Sequence, residues 1–356
     1  MLHRTASPHI TGRAGRLVAM LGAVALVAAC GSGDSATTET TTAAETTAAT
    51  IAPETTAAPT LPETTAAPST TTTTIDERPV VVVTYSILGD IVSRLVGDAA
   101  RVEVVVPDGS DPHEFSASAQ DIERMMSAAL VVANGLNLEE GLSDALGQVA
   151  AANVALFEAA AHITVRELAK DGDDHDHDHD HDHGHDHEGG DPHLWTSAAA
   201  MAEMVPALTD ALEAALAVDL AAEEAEVLTA LTALDSEVQA IIDRIPAGGC
   251  KLVTGHESLG YFADRYGCEL IGAVIPSLSS TAEASAKELA ELQQVAAAAG
   301  VGAIFTEAGT PADVAEQVAA AVGVPLVELP SHDLPDDGGY EAFLTELATR
   351  IADALA

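Results

Sequence analysis

The sequence predicts an α/β protein of two lobes, each a mainly parallel sheet flanked by helices, joined by one long rigid helix. Three observations carry this. Short apolar runs alternate with helical stretches between residues 80 and 157 and again between 251 and 329. That alternation lapses between 196 and 245, where helical periodicity alone continues. Roughly 278 residues follow position 78, enough for two domains.

The first lobe, 79–195, opens on a run of four valines, then Thr84 and Tyr85, which is suited to a strand buried on both faces. A helix is expected over 87–96, a second strand over 102–106 ending in Pro107-Asp108-Gly109, a third over 130–134 and a weaker fourth over 154–157. The second lobe, 247–356, repeats the pattern with strands expected over 251–254, 269–274, 301–305 and 325–329. Thr310-Pro311-Ala312-Asp313 reads as an N-cap followed by proline at the first helical position, and Gly323 as the stop. Between the lobes, in 196–246, Val227, Leu231, Leu234, Val238, Ile241 and Ile245 recur at alternating spacings of 4 and 3. A helix over 220–245 would extend roughly 40 Å and run along both lobes; the plainer alternative is a surface helix on one of them.

Residues 1–29 carry Arg4, Arg13 and Arg16 with no acid, then an apolar run shorter than the ~20 residues a membrane span needs. This reads as a secretory signal. Val27-Ala28-Ala29-Cys30 resembles a bacterial lipobox, which implies cleavage before Cys30, acylation of its thiol and a lipid anchor on the outer face of the cell membrane. Residues 31–78 hold eighteen threonines and a repeated Glu-Thr-Thr-Ala-Ala beginning at Glu45, Glu54 and Glu63. Such a segment buries too little apolar surface to offset its ordering entropy, so 30–78 reads as a disordered tether with a reach on the order of 100 Å.

The chain has 14 basic and 56 acidic residues, a formal net charge of −42. A field of that sign excludes charge-driven binding to nucleic acid or to an anionic membrane surface and favours cations as partners. Seven of the fourteen histidines stand at alternate positions in one acidic loop, 171–190: His175, His177, His179, His181, His183, His185 and His187. Imidazoles interleaved with aspartates form an auxiliary, unscaffolded metal-binding segment.

The remaining histidines of the folded part are His113, His162, His193, His256 and His332. His113 and His193 sit in parallel phrases, Asp111-Pro112-His113-Glu114-Phe115 and Asp191-Pro192-His193-Leu194-Trp195. His256 follows a strand in Gly255-His256-Glu257-Ser258, and His332-Asp333 follows the last strand. Ligand sites in parallel sheets form just outside the carboxyl ends of strands. His162 has no such setting.

These phrases, with the His-rich loop directly before Asp191, resemble the zinc- and manganese-binding solute-binding lipoproteins of bacterial ABC transporters, the cluster A-I family, over the whole region from about Val80 to the C-terminus. The resemblance implies two lobes joined by a rigid helix, delivery of metal to a membrane permease and its ATPase, and a metal held in the cleft by His113, His193, His256 and one carboxylate. Alignment from the strand outward selects Asp333 as the fourth ligand, the favoured reading, while alignment from Leu334 backward selects His332. Three imidazoles and one carboxylate suit Zn²⁺, whereas Mn²⁺ prefers more oxygen. Manganese-binding relatives resemble one another in having Glu where this chain has His256. Glu307, at another strand end, either orients a ligand imidazole or is a solvated acid.

A zinc hydrolase is disfavoured: no His-Glu-x-x-His and no Gly-x-Ser-x-Gly is present. A surface metal buffer or adhesin with the same ligands remains an alternative to delivery, and a monomer is expected. Cys250 and Cys268 each precede an expected strand. If those strands are parallel neighbours, both cysteines start at one sheet edge within bridging distance, and a disulfide away from the metal is expected; two buried free thiols are the alternative.

Overall fold

The computed structural model describes residues 76–167, 190–335 and 338–356. The signal, Cys30, most of the tether and the loop histidines 175–187 lie outside the described residues.

The first lobe is built around β1 (Val80–Tyr85). Its valine run leaves no polar face, and the strand takes a central place with Val81, Val82 and Val83 buried. It pairs in parallel with β2 (Arg101–Val106) on one side and β3 (Leu130–Ala133) on the other, and β4 (Leu156–Glu158) completes the order β2-β1-β3-β4. Parallel strands need crossovers, supplied by α1 (Ser86–Val96), α2 (Ala119–Ser127) and α3 (Ser143–Ala151). Ser118 and Asp121 form a reciprocal capping box that starts α2 after the loop carrying His113.

The segment expected to be one linking helix holds two, α4 (Ala198–Leu216) and α5 (Ala221–Ile242), separated at Ala217, whose φ is 57°. The 22 residues of α5 span roughly 33 Å, and α5 packs on α4, α1 and the C-terminal helix α9 (Gly339–Leu355). Val227, Leu231, Leu234 and Val238 face inward as their spacing predicts, but the next buried position is Ile242, not Ile241. Ile241 is half-buried there, and Ile245, the last position of the expected stripe, is buried.

In the second lobe β5 (Lys251–Thr254) pairs in parallel with β6 (Glu269–Ala273), and β7 (Ile304–Thr306) with β8 (Leu326–Glu328). The strands form two ladders, with β7 packed beside β5. Three helices complete the lobe, α6 (Gly260–Tyr266), α7 (Ala286–Ala299) and α8 (Ala312–Val322). The strand expected from 301 begins at Ile304 because the Val301 N–H instead donates to the Ala296 carbonyl (3.3 Å), closing α7 beyond Gly300. α8 begins one residue later than its sequence signal, with Pro311 at the cap, and Gly323 at φ 84° ends it as expected.

One core joins β1, α1, α4, α5 and α9 across the molecule, and a smaller one around Val253, Leu292, Ile304 and Val318 fills the second lobe. Cys250 and Cys268 are joined by a disulfide at the starts of β5 and β6, with Cα atoms 4.7 Å apart. Among the described residues, no helix is long and apolar enough to cross a membrane.

Candidate metal centre

The two Asp-Pro-His phrases share one side-chain-to-backbone contact. The Asp111 carboxylate accepts from the His113 N–H at 2.9 Å, and Asp191 accepts from the His193 N–H at 3.0 Å. Each aspartate thereby fixes its histidine backbone two residues on, the Asx-turn geometry. His113 lies in the loop after β2, His193 just before the 3-10 turn Leu194–Thr196 that leads into α4, and His256 two residues beyond β5. The chain at Gly255 runs so close to the loop after β7 that a Cβ there would sit 2.0 Å from the Thr310 hydroxyl and 3.2 Å from Glu307 Oε1.

These three segments deliver three imidazoles to one point. His193 Nε2 lies 3.3 Å from His113 Nε2 and 3.1 Å from His256 Nε2. All three rings are buried, at 3% exposure or less, and one nitrogen from each falls within 4.8 Å of the others. Two nitrogens bound to Zn²⁺ at about 2.0–2.1 Å stand about 3.3 Å apart at the tetrahedral angle. The two spacings to His193 Nε2 therefore match those of nitrogens on a shared cation.

Behind each converging Nε2, the opposite ring nitrogen faces a carboxylate. His193 Nδ1 is 2.8 Å from Asp191 Oδ1, His256 Nδ1 is 2.8 Å from Glu307 Oε1, and His113 Nδ1 is 3.6 Å from Glu140 Oε1. A carboxylate behind a ligand imidazole fixes its tautomer and raises its basicity. Glu307 is buried and also accepts from the His256 N–H (3.1 Å) and the Ser258 hydroxyl (2.8 Å), so it is an anchor and not a solvated acid.

Electrostatics differ around the cage. Burial, reinforced by His256 and His113, holds His193 well below the usual imidazole range. Burial also opposes charge on His256, but the charge and hydrogen bond of Glu307, with the charges of Asp111 and Asp191, together outweigh it and the net shift is upward. Burial raises Asp191 to about 6 against its hydrogen bond to the His193 N–H and the pull of Arg166.

The two candidates for a fourth ligand are placed differently. Asp333, the one favoured by alignment, is exposed, and the metal-compatible cluster among the described residues is His113, His193 and His256. His332 is buried at 3%, with its ring 5.7 Å from Trp195 and Nδ1 unpartnered. Burial pushes His332 down to about 4, against the attraction of Asp111. The chain here is stitched to the first lobe: the His332 carbonyl accepts from the Gly109 N–H (3.1 Å) and the Ser86 hydroxyl (3.3 Å), and the Leu334 N–H donates to Asp108 Oδ1 (3.0 Å). Those bonds turn the His332 ring inward and leave Asp333 outside. His162 stacks on Phe157 away from the cage. Sequence reasoning missed the supporting roles of Asp111, Asp191 and Glu140, although the first two recur two residues before a histidine in matching phrases.

A buried cage of imidazoles, two of them in loops that follow strands β2 and β5, in a two-lobed α/β fold with parallel sheets, defines a class of metal-binding proteins. The chain belongs to the family described as "Zinc-uptake complex component A periplasmic", whose model matches residues 81–354. This is the periplasmic zinc- and manganese-binding family that works with an ABC permease and its ATPase.

The chain is similar to the zinc-binding protein TroA of Treponema pallidum, 26% identical over 66% of this chain and 72% of TroA. It is also similar to the manganese-binding lipoprotein MntA of Halalkalibacterium halodurans, 24% identical over 64% of this chain and 70% of MntA. The zinc-binding protein AdcA of Streptococcus pyogenes is 29% identical over 68% of this chain, which spans 48% of AdcA. The solved structure of periplasmic TroA superposes with a TM-score of 0.69 at 26% identity, covering 78% of this chain and 99% of that one. These relatives are named as binding proteins, not enzymes.

Proposed function

We propose that this chain captures Zn²⁺ outside the cytoplasm and delivers it to a membrane ABC permease. The observation that carries the reading is the convergence of His113, His193 and His256 through Nε2, at spacings of 3.1 and 3.3 Å. A donor set of imidazoles favours Zn²⁺ over Mn²⁺, whose sites are richer in oxygen. His332 is better placed than Asp333 to supply a fourth donor, because it is buried beside the cage while Asp333 is exposed. Glu307 and Asp191 orient two of the ligands. Cys30 would anchor the chain by lipid, residues 31–78 would tether it, and the histidines from His175 to His187 would bind further ions weakly.

Metal analysis after equilibration with equimolar Zn²⁺ and Mn²⁺ tests this. One tightly held Zn²⁺ per chain is expected, with additional weak Zn²⁺ lost on deletion of residues 173–188. Preferential retention of Mn²⁺, or loss of the tight site with the loop, contradicts the reading. Growth on limiting zinc, restored by the intact chain and not by His256→Ala, tests delivery.

A further inference from the structure

Of the three carboxylates behind the imidazoles, Asp191 alone is fully buried and gripped by a guanidinium. Arg166 Nη1 lies 3.5 Å from Asp191 Oδ2, and the Asp191 N–H donates to the Arg166 carbonyl at 3.0 Å. The grip uses the Asp191 oxygen that His193 does not, since Oδ1 faces His193 Nδ1. Arg166 is itself held by the second lobe. Its Nε donates to Asp264 Oδ2 at 2.7 Å, and its backbone N–H donates to the Tyr261 hydroxyl at 3.0 Å. Asp264 and Tyr261 both lie on α6. The start of α6 closes over the pair so tightly that a Cβ on Gly260 would lie 2.0 Å from Asp191 Oδ2 and 2.6 Å from Arg166 Nη1.

We propose that Arg166 is a positioning residue that ties metal retention at His193 to the seating of α6 against the first lobe. The continuous chain runs from α6 through Asp264, Arg166 and Asp191 to His193. With α6 in place, the guanidinium orients Asp191 so that Oδ1 meets His193 Nδ1, and Nε2 is then aimed at the ion. When α6 moves away, Arg166 loses Asp264 and Tyr261, its guanidinium is no longer held on the Asp191 carboxylate, and the imidazole loses its fixed orientation. The effect falls on release more than on capture, because the clasp acts on a ligand already engaged. This rests on the reading of His113, His193 and His256 as the metal cage.

The test loads the full-length chain with one equivalent of Zn²⁺ and follows the slowest-released ion into excess chelator. Arg166→Gln is expected to release it about tenfold faster, the lower end of the usual effect of removing a group that orients a ligand, with the thermal midpoint of the metal-free protein unchanged. Arg166→Lys is expected to recover part of the loss. Asp264→Asn, at a side chain 65% exposed, is expected to fall between wild type and Arg166→Gln, and it decides the matter if Arg166→Gln does not fold. Release at the wild-type rate in the variants overturns the proposal. So does faster release that merely tracks a lower metal-free midpoint and is not relieved by lysine. Failure of the wild-type chain to hold any ion tightly contradicts the metal-cage reading itself, a result separate from an intact tight site that ignores Arg166.

Discussion

His193 has no exposure and two imidazoles within 3.3 Å, so burial and those neighbours make it resist protonation where a surface histidine would accept it, despite the carboxylate behind it. His256 departs in the other direction because Glu307 holds a negative charge 2.8 Å from Nδ1. Replacing Glu307 by Gln keeps the shape and removes that charge. It should weaken Zn²⁺ binding about 10- to 100-fold, measured by chelator competition, with secondary structure unchanged. His332 supplies a separate test through stability. Its folded value, about 4, lies below the ordinary imidazole value of 6.5, so the unfolded chain binds more protons between those limits. Stability is therefore present above pH 6.5 and lost as pH falls toward 4, by on the order of 3 kcal/mol from this group. Denaturant melts of the metal-free protein should show a shallower loss over that window for His332→Gln than for wild type; parallel curves would contradict the assignment. At this scale the repeated Asp-Pro-His phrase pointed to two of the three converging imidazoles, and the end of a strand to the third, His256. The sequence favoured Asp333 over His332, because the bonds that accompany burial of His332 and exposure of Asp333 involve Gly109, Ser86 and Asp108, more than two hundred residues away in the chain.

Among the elements, β1 was legible because a strand buried on both faces has to be apolar throughout, and α5 because its stripe is long. The shortened β7 was not, since Val301 is as apolar as a strand residue while its N–H is taken by the end of α7. The disulfide at the starts of β5 and β6 closes a loop with a sequence separation of 18. Replacing both cysteines by serine should lower stability by about 3 kcal/mol on the chain-entropy account. Because His256 leaves the opposite end of β5, Zn²⁺ affinity should be unchanged. Calorimetry paired with metal titration reads both, and a joint loss would place the bridge in control of the site.

Across the whole molecule, α5 and α9 belong to the same core as β1 and α1, so the lobes are not independent bodies on a flexible linker. Leu231, fully buried in the middle of α5, contributes to that shared core. Leu231→Ala should cost about 2–5 kcal/mol and shift a single cooperative transition; two separated transitions would show lobes that unfold alone. The alternation of strands and helices revealed this architecture, but the lateral pairing of strands in the second lobe depends on contacts that no local pattern encodes. His113, His193 and His256 are expected to hold one Zn²⁺ through Nε2, and anomalous scattering at the zinc edge from crystals of the loaded protein tests this most directly. The prediction is a peak about 2.0–2.1 Å from each of the three Nε2 atoms. A fully loaded crystal with no peak between those atoms would contradict it.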